Sequence, residues 1–141
     1  MKVFLSALIL SFPLYLSADE GVTVTVTVTN IPGAKGTMLI GLYDSAKTFT
    51  KKEVKGSPKI AVTSTSSITT QIPNVKPGTY AVSVIQDLNN NGKLDRKGLM
   101  PAEPLGFSVI HEIPKGKPKF SACAFTVGTA PVSITVPLVT K

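Results

Sequence analysis

The chain has no tryptophan, one histidine and one cysteine in 141 residues. A single cysteine excludes an internal disulfide. One histidine with one cysteine, neither in a helical metal motif, excludes a conventional four-ligand zinc site. Acids are scarce too, with eight Asp and Glu against fifteen Lys and Arg. The lysines lack interleaved aromatics on which bases could stack, which argues against nucleic acid as a partner. Beyond the first few residues no apolar run approaches the ~20 residues that span a bilayer as a helix, so no transmembrane anchor is expected. The apolar runs bounded by Pro, Gly, Asn or Ser show no amphipathic helical period.

The start, MKVFLSALILSFPLYLSADEG, joins one basic residue, Lys2, to an uncharged stretch from Val3 to Leu16 and a small-residue exit at Ser17-Ala18. This pattern predicts a secretory signal peptide over residues 1–18, a single domain over 19–141, and a periplasmic or secreted location. The remaining 141 − 18 = 123 residues suffice for one core that folds without a metal. Losing Lys2 leaves a formal charge of 14 − 8 = +6. Much of the excess lies in KTFTKKEVKGSPK (47–59) and PKGKPK (114–119), loop-like stretches suited to an anionic surface component of the envelope. An envelope protein is the other class of partner; the oligomeric state has no signature in the sequence.

The run VTVTVTVT (22–29) alternates with a period of two and predicts a strand with valines inward. Further strands are expected at 37–43, 59–64, 67–72, 79–86, 120–127 and 132–139, each bounded by Pro, Gly, Asn or Ser. A short helical turn is expected over AKTFTKKEV (46–54), capped by Asp44-Ser45. Seven short strands predict an all-β, antiparallel, Ig-like β-sandwich with one long loop rich in Asx, Gly and Pro. Pro137 places the last strand at an edge. Tyr80, Val82 and Val84 read as core. Cys123 reads as a small buried residue in a strand, sharing a face with Ser121, Phe125 and Val127, and His111 as a surface or hinge histidine.

The long loop opens with DLNNNGKLD (87–95). Counting Asp87 as position 1, Asn89, Asn91, Lys93 and Asp95 fall at 3, 5, 7 and 9, with Gly92 at 6. That is the oxygen spacing of an EF-hand-type calcium loop, in which position 7 offers a backbone carbonyl and the glycine permits a sharp bend. Position 12 is Gly98 rather than a glutamate, so the missing carboxylate is expected from Glu103. The predicted metal ligands are therefore Asp87, Asn89, Asn91, Lys93 through its carbonyl, Asp95 and Glu103. Leu94 is expected to point into the core. Lys93, Arg96 and Lys97 weaken the site toward the ~10⁻⁴–10⁻³ M affinities of extracellular calcium modules. The competing reading is a plain Asn-Gly turn.

DLNNNGKLDRKGLMPAEPLGFS followed by GKPKFSACAF resembles the hallmark of a bacterial secreted family of unknown function, the one numbered 2141. Its pattern is roughly D-x-N-x-N-G-x-L-D, then G-x-P-x-E-x-x-G-F-S, then G-x-P-x-F-x-x-A-x-F, and the likeness covers about residues 22–139. Leu99 stands where a glycine is usual and Cys123 where an alanine is usual. The resemblance implies an exported, prealbumin-like sandwich and supplies no activity. The favoured function is a calcium-stabilised envelope module with a binding or structural role, not an enzyme. The alternatives are a transthyretin-like carrier of a small ligand and a hydrolase using Asp87, Asp95 and Glu103 as acid and base.

Overall fold

The structure is a computed structural model and describes residues 21–112 and 115–140. The predicted signal peptide and the domain start at 19 lie outside the described residues. The fold is almost entirely β. The VTVTVTVT run forms strand β1 (Val22–Thr29), with Val24, Val26 and Val28 fully buried and the threonines between them half-exposed. β1 is the centre of a three-stranded sheet, antiparallel to β5 (Ile68–Val75) and parallel to the edge strand β11 (Val132–Pro137). The parallel pair departs from the expected all-antiparallel pairing. Parallel neighbours need a long crossover, which the chain between them provides. Pro137, which has no N–H to give a ladder, lies in this edge strand.

A six-stranded sheet is built on the pair β2 (Thr37–Tyr43) and β6 (Gly78–Asp87), antiparallel over seven residues each. The free side of β2 carries the two-residue strands β3 (Lys55–Gly56) and β4 (Ile60–Ala61). The free side of β6 carries β9 (Leu105–Phe107) and β10 (Phe125–Val127). Two further short strands, β7 (Arg96–Lys97) and β8 (Met100–Pro101), form a separate hairpin.

Alternation along β2 and β6 decides what each face does. Met38, Ile40, Leu42, Val82 and Val84 point inward and join the β1 valines, Ile72, Val75 and Val136 in one core shared by both sheets. The other face bears a second cluster of Tyr43, Ala81, Leu105 and Phe107, covered by Phe49 from the loop after β2 and by Cys123 from the segment before β10. Phe49 lies edge-on to Tyr43, Phe107 and Phe120, with ring centroids 5.3, 5.9 and 5.8 Å away. Gly106 marks where the sheets converge. A Cβ there would stand 2.5 Å from the Pro137 carbonyl oxygen.

Several predicted elements are corrected. Residues 46–51 form turns rather than a helix, held by Phe49 N–H to Ser45 O (3.1 Å) and Lys52 N–H to Thr48 O (2.9 Å). The expected cap survives in part, since the Ser45 and Thr48 hydroxyls are 2.8 Å apart. The 59–64 strand shrinks to Ile60–Ala61, whereas the 67–72 strand extends to Val75 through Pro73. The 120–127 strand is wrong in its first half, where Phe120–Cys123 form one helical turn, α1, before β10 begins. Residues three apart share a helix face, so the turn aims both Phe120 and Cys123 at the second cluster. Cys123 is buried as expected, but it and Val127 belong to different clusters. Val82 and Val84 are fully buried, and Tyr80 packs against the core while its hydroxyl donates to Lys76 O at 2.8 Å.

Candidate metal centre

β6 delivers the first predicted ligand. Along this strand Val82, Val84 and Gln86 face the core, so Asp87 emerges on the outer side with Ser83 and Ile85. The strand end is fixed from beneath, because the Gln86 side-chain amide donates to Gly33 O and Lys35 O, both at 2.8 Å. Gly36, at φ +76°, passes so close to the Asp87 carbonyl that any Cβ would collide with it. Asp87 is 1% exposed although it carries a carboxylate. Its oxygens accept backbone N–H groups from Asn91 (3.2 Å) and Gly92 (2.7 Å), which curl the loop around them. The curl needs left-handed backbone at Asn90 (φ 57°) and Gly92 (φ 79°), residue types that tolerate it. The Thr37 hydroxyl, donating to Asn90 Oδ1 at 2.6 Å, anchors the tip to β2.

The remaining side chains at odd positions meet at Asp95. Asn89 Nδ2 donates to Asp95 Oδ2 at 2.6 Å, and Asn91 Nδ2 lies 2.8 and 2.9 Å from the two carboxylate oxygens. Asn89 Oδ1 accepts the Asn91 N–H (3.3 Å) and Asn91 Oδ1 the Lys93 N–H (3.1 Å), a run of Asx turns. Asp87, Asn89, Asn91 and Asp95 are thus linked in one polar cluster, with Lys93 on the same curl. Leu94 leaves the loop in the opposite sense and packs against the second hydrophobic cluster.

Glu103 is also buried, at 6% exposure. Oε1 accepts the N–H of Leu88 and Oε2 that of Asp95, both at 3.0 Å, so this carboxylate spans the two ends of the loop. Next to it, the Ala102 N–H donates to Asp95 O at 2.8 Å and the Gln86 N–H to Pro104 O at 2.9 Å. Among the described residues no group of three or more His, Cys, Asp or Glu side chains is placed to hold a metal ion. The donors gathered here are two aspartates and two asparagine amides.

Other residues singled out in the sequence have structural work. Ser108 Oγ accepts the Val82 N–H (2.8 Å) and donates to Cys123 O (2.5 Å), joining the motif GFS to the helical turn. Burial pushes the Cys123 thiol up to about 11, far from reactive. His111 is exposed. The supports Thr37 and Gln86 act across the sheet and have no local signature in the sequence. Asn90 alone carries a signal, as an asparagine inside a tight loop.

No helix among the described residues is long and apolar enough to cross a membrane. No curated protein and no solved structure matches the chain. A family described as an uncharacterized protein conserved in bacteria, the domain of unknown function 2141, matches residues 26–135. That span holds the whole loop, its Glu103 brace and the GFS segment, and the chain belongs to this bacterial family.

Proposed function

We propose that the protein is an exported, prealbumin-like β-sandwich module whose 87–95 loop binds calcium weakly, and that it serves a binding or structural role in the cell envelope. The carrying observation is the meeting of Asn89 and Asn91 with the Asp95 carboxylate at 2.6–2.9 Å. In the present geometry the amide NH₂ groups, the positive ends of their dipoles, face the carboxylate. A half-turn of each amide would bring its oxygen there instead, an arrangement that repels unless a cation lies between. Calcium accepts such mixed oxygens, and 6 to 8 of them.

The ligands in this reading are the side chains of Asp87, Asn89, Asn91 and Asp95 with the Lys93 carbonyl. Glu103 frames the loop through the Leu88 and Asp95 amides, and its remaining lone pairs point to at most a secondary role. Carboxylates that hold backbone N–H groups are poor proton shuttles, so no catalytic role is assigned. Export rests on the signal-peptide pattern of residues 1–18. Calorimetric titration with calcium should give one site per chain, absent in Asp95→Ala and far weaker for magnesium, which demands a smaller octahedral cage. Absence of heat and of amide shifts at Gly92 up to ~10 mM calcium, well above the Kd range of extracellular modules, would refute it.

A further inference from the structure

The outer face of the six-stranded sheet is only partly covered. Beside the aromatic cluster lies an open cleft of about 940 Å³, at the upper end of the ~300–1,000 Å³ typical of small-molecule sites. Its floor is apolar. Leu39 on β2, Ile85 on β6 and Leu105 and Phe107 on β9 line it, following the cross-strand pairs Leu39↔Ile85 and Ile85↔Leu105. Gly41 keeps the floor low, and next to it the Ser83 hydroxyl donates to the Tyr43 hydroxyl at 3.2 Å.

The rim has the opposite character. Lys51, Lys59, Lys93, Arg96, Lys115 and Lys117 line the cleft, with Glu53 as the one acid among the described lining residues. The β7–β8 hairpin adds two apolar side chains on the same rim, Leu99 at 93% and Met100 at 41% exposure. Six cations around a hydrocarbon floor suit neither a neutral apolar ligand, which gains nothing from the charge, nor a polyanion, which gains nothing from the floor.

We infer that this cleft binds a single-chain amphipathic anion, its hydrocarbon chain along Leu39, Ile85 and Phe107 and its carboxylate among the rim lysines. Leu99 and Met100 close over the chain from the hairpin. The cleft adjoins the calcium loop and shares Lys93 with it, Arg96 following just beyond, and the inference holds whether or not the loop takes calcium.

The test uses decanoate and decylammonium, which share a chain and differ in charge, with the protein in chelator so that the calcium reading does not enter. Decanoate should saturate one site per chain, bind at least about tenfold more tightly than decylammonium, and shift the amides of Leu39, Ser83 and Phe107. Leu39→Glu places a carboxylate on the floor and should weaken decanoate by about tenfold or more. Lys51→Glu with Lys59→Glu, both at exposed positions, should cut the preference for decanoate to about twofold or less. Equal binding of the two probes, no binding of decanoate, or a preference unaltered by the lysine reversals would overturn the inference. So would association with phosphatidylglycerol vesicles without any binding of decanoate, which would make the same rim a membrane contact.

Discussion

Glu103 Oε2 accepts the backbone N–H of Asp95 at 3.0 Å, so a carboxylate eight residues further along the chain sets the position of the loop's last predicted ligand. Its other oxygen holds Leu88. Glu103→Gln keeps one acceptor and turns an NH₂ toward a backbone N–H, at a cost of about 1–3 kcal/mol. Urea unfolding in chelator should show that loss. The increment added by calcium should largely persist, because the substitution removes a frame and not a principal ligand.

Gly106→Ala should be among the most damaging single substitutions. Its Cβ would meet the Pro137 carbonyl oxygen at 2.5 Å and a Val136 methyl at 2.8 Å, and backbone yields less than a flexible side chain. A loss of about 2–4 kcal/mol is expected, read as a lower urea midpoint with the slope unchanged.

Ser108→Ala removes two buried hydrogen bonds and leaves the Val82 N–H and Cys123 carbonyl short of partners. The expected cost is about 1–3 kcal/mol. Ser108→Thr, which keeps the hydroxyl, should restore part of it if the added methyl is accommodated.

Cys123 should resist iodoacetamide in the native protein and react at once in urea, since its thiol is buried and held at about 11. Its folded value lies above the ordinary 9.0. The stability it contributes is therefore complete below pH 9 and is lost as the pH rises toward 11. Tyr43, raised chiefly by burial, extends the same trend to higher pH. Unfolding midpoints from pH 8 to 11 should fall, and less steeply in Cys123→Ala.

Much of the fold was legible because periodicity reports burial directly. VTVTVTVT could only be a half-buried strand, and TMLIGLY and TYAVSVIQ declared their inward residues in the same way. FSACAFTV misled because small residues alternate as readily along one helical turn as along a strand. What decides the matter is the Phe49 ring waiting for Phe120, a contact some seventy residues away in sequence. The spacing of DLNNNGKLD marked the residues that cluster, but not their support. Thr37 and Gln86 act through pairings across the sheet, which carry no local signature. Glu103 is legible in the sequence as the nearest later carboxylate; that both its oxygens hold backbone N–H groups follows only from the three-dimensional path of the loop.

The most direct test of the account is a melting curve of the wild-type protein in chelator and in ~10 mM calcium. For a dissociation constant of about 0.1 mM, RT ln(1 + [L]/Kd) gives about 2.7 kcal/mol. That corresponds to a rise of very roughly 10 °C for a domain of this size. Asp87→Ala should abolish most of the rise, and magnesium should produce little of it. An unchanged melting temperature in wild type would contradict the account and leave residues 87–95 as a hydrogen-bonded Asn-Gly turn.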